Sequence, residues 1–133
     1  MKQALPYFER AYFYNPDNSD HWLYLGLAQF LSGRREDAYH LWRKRMSHHL
    51  EEDFAYRFLG AELYRQGLFE ESVRFLQNGV GKFPQDAEGW ILLGKVYSNL
   101  GLEKEARDCW RRVLDFDPVN KEARECLSKR VKD

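Results

Sequence analysis

Residues 87–120 read AEGWILLGKVYSNLGLEKEARDCWRRVLDFDPVN, and the landmarks of this stretch return upstream at one fixed interval. Gly94 follows Gly60 and Gly26, Gly101 follows Gly67 and Gly33, and Trp90 follows Tyr56 and Trp22, each step being 34 residues. A period of this length is the sequence signature of a solenoid in which every unit packs on its neighbours. Most conspicuous residues then belong to the packing frame, and functional residues are to be sought where the units differ.

Each unit divides into two helices. In residues 19–52 the first half, SDHWLYLGLAQFLS, is almost wholly apolar after its first turn, which suits an inner helix buried on most sides. The second half, REDAYHLWRKRMSHH, places Ala38, Leu41, Trp42 and Met46 on one face among charges, as an outer helix should. Gly33, Gly67 and Gly101 stand where a left-handed residue ends the first helix. Asn18, Asp86 and Asn120 suit the N-caps of the helices that follow them, a pattern that Glu52 breaks. Pro16, Pro84 and Pro118 end the preceding outer helices, because proline cannot continue the hydrogen-bond ladder; Leu50 stands where the fourth would be.

Gly26, Gly60 and Gly94 fall inside helices, where glycine costs about 1 kcal/mol relative to alanine, so a packing gain must offset them. Twelve residues after each comes a small side chain, Ala38, Ser72 or Ala106. Small residues facing small ones would let two backbones approach, with Trp22, Tyr56 and Trp90 and then Trp42, Leu76 and Trp110 filling the space around them. These aromatics are read as core in preference to a ligand cage.

Trp22, Leu25, Gly26, Gly33, Ala38 and Trp42 resemble the tetratricopeptide repeat, and Trp90, Leu93, Gly94, Tyr97, Gly101, Ala106 and Pro118 match its pattern more fully. The resemblance covers nearly the whole chain as one domain: a half repeat at 1–18 with Ala4, Phe8, Ala11 and Pro16, full repeats at 19–52, 53–86 and 87–120, and a capping helix at 121–133. Departures are Arg45 and Val113 where the family prefers alanine, Gln29 and Leu63 in place of tyrosine, and Leu50 in place of proline. The fold implied is an all-α, right-handed superhelical solenoid of antiparallel helix pairs, about three and a half repeats plus the cap.

The resemblance also implies a non-catalytic adaptor or scaffold whose inner helices line a concave groove for a peptide or helix of a partner protein. The family's groove positions fall on Asp20, Leu23, Tyr24, Leu27, Phe30 and Leu31; on Phe54, Arg57, Phe58, Ala61, Tyr64 and Arg65; and on Glu88, Ile91, Leu92, Lys95, Ser98 and Asn99. Such a lining favours an apolar or amphipathic segment, with Arg57, Arg65 and Lys95 offered to carboxylates or carbonyls. The alternative occupant is the protein's own neighbouring repeat or a sister subunit. Repeats that hold the acidic tail of heat-shock chaperones resemble one another in a clamp of lysines, asparagines and an arginine. Here those positions carry Leu23, Leu27, Phe58, Glu88 and Leu92, and a one-repeat shift gives Arg57, Ala61, Leu92, Glu122 and Cys126. No binding of that tail is expected.

The ends raise a second reading, a structural self-assembly module or a fragment of a longer array. The half repeat begins in an outer helix without an inner partner, its ordered part starting near Leu5 because Pro6 suits only a first turn. It carries Tyr7, Phe8, Tyr12, Phe13 and Tyr14, of which Tyr7, Tyr12, Phe13 and Tyr14 are candidates for homo-oligomer contacts. At the other end Ala123, Leu127 and Val131 form the stripe of a cap.

Composition sets limits on other functions. The 133 residues are 44% hydrophobic and 16% aromatic, enough for a substantial core, while 21 basic and 21 acidic residues leave no net charge to draw the chain to nucleic acid or an anionic membrane. No apolar stretch approaches the roughly 18 residues that span a bilayer, and MKQALPYFER lacks the apolar centre of a secretion signal. A soluble chain is expected. Cys109 and Cys126 fit no metal spacing; reduced core thiols are expected in preference to a disulfide, and a cytoplasmic, reducing compartment is favoured. His40, His48 and His49 do not converge on a metal, since adjacent helical residues point about 100° apart. The tryptophan-basic runs at 42–45 and 110–112 lie among Glu36, Asp37, Glu103, Glu105 and Asp108, which reads as a solvated mixed-charge face and not a nucleic-acid surface. Glu70-Glu71 and Glu51-Glu52-Asp53 have no nucleophile or phosphate loop beside them. Neither an active site nor a cofactor is expected.

Overall fold

The computed structural model describes residues 5–48 and 54–129, which form eight helices and their connections: α1 (Leu5–Tyr14), α2 (Ser19–Leu31), α3 (Arg35–His48), α4 (Phe54–Arg65), α5 (Phe69–Lys82), α6 (Ala87–Asn99), α7 (Glu103–Phe116) and α8 (Lys121–Ser128). Leu50 and the irregular exit of residues 19–52 lie outside the described residues. The contacts fall into two compact units, residues 1–55 and 56–133.

The turns inside the pairs follow the expected chemistry. Gly33, Gly67 and Gly101 have φ of 91°, 80° and 79°, the left-handed region that admits glycine without strain. At each of them two bonds close the helix end. The amide of Arg34 donates to Gln29 O at 2.8 Å while that of Gly33 donates to Phe30 O at 3.1 Å. Leu68 with Leu63 and Gly67 with Tyr64 repeat the arrangement, as do Leu102 with Tyr97 and Gly101 with Ser98. Carbonyls that a helix terminus would otherwise orphan are thereby satisfied.

The atoms nearest to the glycines inside α2, α4 and α6 belong to the large residue sixteen positions on. A Cβ added at Gly26 would overlap the Trp42 indole, one at Gly94 the Trp110 indole, and one at Gly60 would lie 2.5 Å from the Leu76 side chain. The inner helix thus offers a flat of bare backbone on which the outer helix lays a ring. Trp42 Nε1 points toward Leu23 O at 3.4 Å and Trp110 Nε1 donates to Ile91 O at 3.2 Å, so the indoles also meet the inner helix's carbonyls. Leu76 has no such donor. In that repeat Ser72, fully buried, donates from Oγ to Gly60 O at 2.6 Å. Ala38 and Ala106 are the equally buried small residues of the other pairs.

In the first unit α1 lies on α2 through Phe8, whose ring stacks on Tyr24 with centroids 5.4 Å apart. Arg45 of α3 ties down the end of α1, donating to Pro16 O and to Asp17 Oδ1, each at 2.8 Å. Arginine at this alanine-favouring position therefore spans a gap that a methyl group would leave. In the second unit Leu76, Val80, Leu93, Val96 and Cys109 form one apolar cluster. Ile91, Ala106, Trp110, Val113, Ala123 and Cys126 form the other, by which α8 is held. Asn120 caps α8 as expected, accepting from the Ala123 amide at 2.9 Å. Asp86 does not cap α6; its carboxylate is drawn to Arg57 instead.

Candidate functional site

The structure divides the expected groove residues into three groups. Leu23, Leu27, Phe30 and Ile91 are no more than 4% exposed and belong to the core, which corrects their expected place on an accessible lining. The reason is local: α2 and α6 are apolar around most of their circumference, so residues transferred to one face are still covered by packing neighbours. Phe30, for example, meets the rings of both Tyr39 and Trp42. The second group, Tyr24, Phe58, Ala61 and Tyr64, is half-buried, with part of each side chain at the surface. Phe54 opens α4, and its side chain, like that of Asp20, lies outside the described set.

The third group is the cations, which are engaged within the chain. Arg57 reaches Asp86 at 2.9 Å and Glu88 at 3.5 Å, with the Asp86 carboxylate nearly buried. Arg65 pairs with Glu62 at 2.9 Å and Lys95 with Glu122 at 3.3 Å. The expectation of three cations waiting for a ligand is therefore corrected: Arg57 joins α4 to the start of α6, and Lys95 joins α6 to α8. Spacing in sequence identified the cations but not their carboxylates, since Asp86 reads equally well as a cap and Glu122 as a solvated residue.

What the second unit does form is a cleft of about 580 Å³ lined by Tyr64, Lys95, Ser98, Asn99, Glu103, Arg107, Trp110, Cys126 and Lys129, among others. Asn99 organises its mouth, donating from Nδ2 to Tyr64 Oη at 2.8 Å and to Lys95 O at 2.9 Å. Ser98 Oγ donates to Glu103 at 2.8 Å, and Arg107 donates to Leu127 O at 3.1 Å. The lining is thus mostly polar and hydrogen-bonded, with Trp110 and Cys126 its apolar members. Burial pushes the Cys109 thiol up to about 12 and raises the Cys126 thiol as well. Both cysteines are free and buried, and their protonated thiols are poor nucleophiles and poor metal ligands at neutral pH.

In the first unit Tyr7, Phe13 and Tyr14 are 65%, 78% and 81% exposed. Tyr12 departs from the expectation that groups it with them, because it is half-buried beneath the Arg45 guanidinium, 5.9 Å from the ring centre. Among the described residues no three His, Cys, Asp or Glu side chains are placed to hold a metal ion, and no helix is long and apolar enough to cross a membrane. The side chains of His48 and His49 and residues 51–53 lie outside the described set.

A tetratricopeptide-repeat family model matches residues 2–42. Over 63 residues, 47% of this chain, the sequence is 38% identical to peroxisome biogenesis protein 5 of Arabidopsis thaliana, a match that spans 9% of that protein's length. Among solved structures, a crystal structure of MamA superposes with a TM-score of 0.66 at 20% identity, covering 93% of this chain and 72% of that one. MamA 41-end from Desulfovibrio magneticus RS-1 gives 0.63 at 20% identity, covering 94% and 71%. At such identity these structures speak for the fold. Taken with the 34-residue register, the three left-handed glycines and the repeated ring-on-glycine contact, the match over residues 2–42 and the superposed structures support a tetratricopeptide-repeat fold.

Proposed function

We propose that the chain is a protein-interaction module that holds an apolar or amphipathic segment of a partner protein against α4 and α6, with the cleft beside Tyr64 and Asn99 as the anchoring point. The observation that carries this reading is the cleft itself: Trp110 and Cys126 beside polar groups ordered by Asn99, with half-buried Phe58 and Ala61 on α4. Interfaces draw their affinity from aromatic anchors surrounded by pre-ordered polar groups, and this arrangement has both. Binding the charged tail of a chaperone is not part of the reading, because the clamp positions are apolar or acidic. A reducing compartment suits two free thiols.

The test is capture of a partner from native extract, compared between the native chain and the Tyr64→Ala, Asn99→Ala double variant at matched helicity. Loss of the captured protein, with hydrogen-exchange protection of α4 and α6 by the native complex, is the expected result. Equal capture by both would remove the cleft from the reading.

A second reading, self-association through α1, is favoured by the exposure of Tyr7, Phe13 and Tyr14 on a helix that contributes no buried residue. Light scattering over a hundredfold range of concentration tests it. A monomer throughout defeats it, and a dimer that Phe13→Glu dissociates supports it.

A further inference from the structure

The two units carry their charge differently where their surfaces open. In the first, a groove of about 600 Å³ beside α1 and α3 is lined by Arg34 and Lys44 and by Glu9 and Asp37, so its charges balance. The cleft of the second is lined by Lys95, Arg107 and Lys129 against Glu103 alone. The chain as a whole has no net charge, so this excess is local to the cleft. Walls lined by one sign of charge concentrate the field on a ligand of the other sign.

The repeat frame does not account for two of these cations. One repeat earlier the positions of Lys95 and Arg107 hold Ala61 and Val73, and two repeats earlier they hold Leu27 and Tyr39. Uncharged side chains therefore satisfy the packing at both places. All three cations keep accessible surface: Lys129 is exposed, Arg107 is half-buried, and the Lys95 side chain is 42% exposed. Lys95 is partly answered by Glu122 at 3.3 Å. The Arg107 guanidinium spends one N–H on a neutral oxygen, Leu127 O, at 3.1 Å. Among the described residues neither Arg107 nor Lys129 is paired with a carboxylate. Burial raises the Cys126 thiol, and the charges of Lys95 and Lys129 act against that rise, so both ammonium groups are felt at one wall of the cleft.

We propose that this cleft takes an acidic side chain of the partner segment, an aspartate or glutamate whose carboxylate meets Arg107 and Lys129 while the apolar residues flanking it rest on Tyr64 and the α4 surface. Arg107 suits the task because its planar fork matches a carboxylate and is already oriented by the Leu127 carbonyl. The carboxylate belongs to a side chain, so the segment need not end in the cleft. The assignment rests on the cleft being the anchoring point and adds the sign of charge that the partner carries there.

The test is titration of the full chain with N-acetyl-leucyl-glutamyl-leucinamide and with its glutamine counterpart, followed through the side-chain amide of Asn99 and the backbone amide of Lys129. Neither peptide has a free C-terminal carboxylate. The glutamate peptide should bind about fivefold tighter at low ionic strength, the difference expected of an accessible charge pair. That advantage should vanish at about 1 M salt, where the screening length is about 3 Å. Arg107→Gln and Lys129→Gln should each weaken the glutamate peptide and leave the glutamine peptide unchanged. Lys129 is exposed, so its substitution spares the packing even where loss of the Arg107 bond to Leu127 O disturbs α8. Equal binding of the two peptides, an advantage that salt does not reduce, or one that survives in both variants would overturn the acidic assignment and leave the cleft as an anchoring point. Absence of shifts with either peptide at millimolar concentration would overturn both.

Discussion

Gln29 and Tyr97 occupy one register position in two repeats and produce opposite results. Around Tyr97 the space between outer helices is filled by a ring hydrogen-bonded to Gln77; around Gln29 it is an open groove. The difference teaches that a repeat's frame and its surface are governed by separate residues. Glycine and the ring laid on it recur in both units and set helix-to-helix distance, while a single substitution beside that contact decides whether the surface is closed.

The comparison can be broken most severely at the frame. Trp42→Ala and Trp110→Ala each remove a buried indole and should cost about 3–5 kcal/mol, measured by chemical denaturation. Similar losses at the two sites would confirm an equivalent frame in both units, whereas a loss below about 1 kcal/mol at either would show that the contact there is not structural. Arg57→Ala leaves the nearly buried Asp86 carboxylate without its cation and should cost about 1–3 kcal/mol. Asp86→Asn should recover part of that loss in the double variant, and a failure to do so would assign the cost to packing of the arginine stem.

At the filled position, Tyr97→Gln should destabilise by about 1–3 kcal/mol, whereas Gln29→Tyr should leave stability unchanged or improved. Equal losses from both exchanges would mean that the open groove is as well packed as the closed one. A smaller effect belongs to Gly81, which corresponds to Phe13 of the groove wall and has nothing within 4 Å of a Cβ added there. Gly81→Ala should stabilise α5 by about 0.5–1 kcal/mol, read as a rise in the denaturation midpoint.

The last prediction concerns pH. The Cys109 thiol is raised from 9.0 to about 12 on folding, chiefly by burial, with Asp108 adding to the effect. The folded state therefore holds this proton more tightly than the unfolded state. Its contribution to stability is complete below pH 9 and is lost as pH rises toward 12. Stability of the native chain relative to Cys109→Ala should fall across that window, and a constant difference would show that the thiol is not withdrawn from water.

Helix pairs, turns and the inner-outer alternation were legible in the chain because each rests on a local rule: glycine where φ is positive, proline where a ladder stops, apolar residues at helical spacing. The Asn120 cap was legible for the same reason. Asp86 was not, since its carboxylate chooses between a backbone amide and Arg57 nearly thirty residues away, and charge-assisted pairing wins. Leu23, Leu27, Phe30 and Ile91 were misassigned to an accessible lining because a helix that is apolar nearly all round gives periodicity no preferred side. Spacing located the close approach at the glycines, but not that the side chain sixteen positions on comes nearest to the bare backbone.

The amino-acid sequence by itself determined the period, the positions of helix ends and the residues of the frame, since these depend on backbone conformation and hydrophobic spacing within a few turns. Only the tertiary structure decided which ring rests on which glycine, which cations are already paired, and that Gln29 leaves open what Tyr97 closes. Those outcomes depend on distances between helices, which a one-dimensional pattern does not contain.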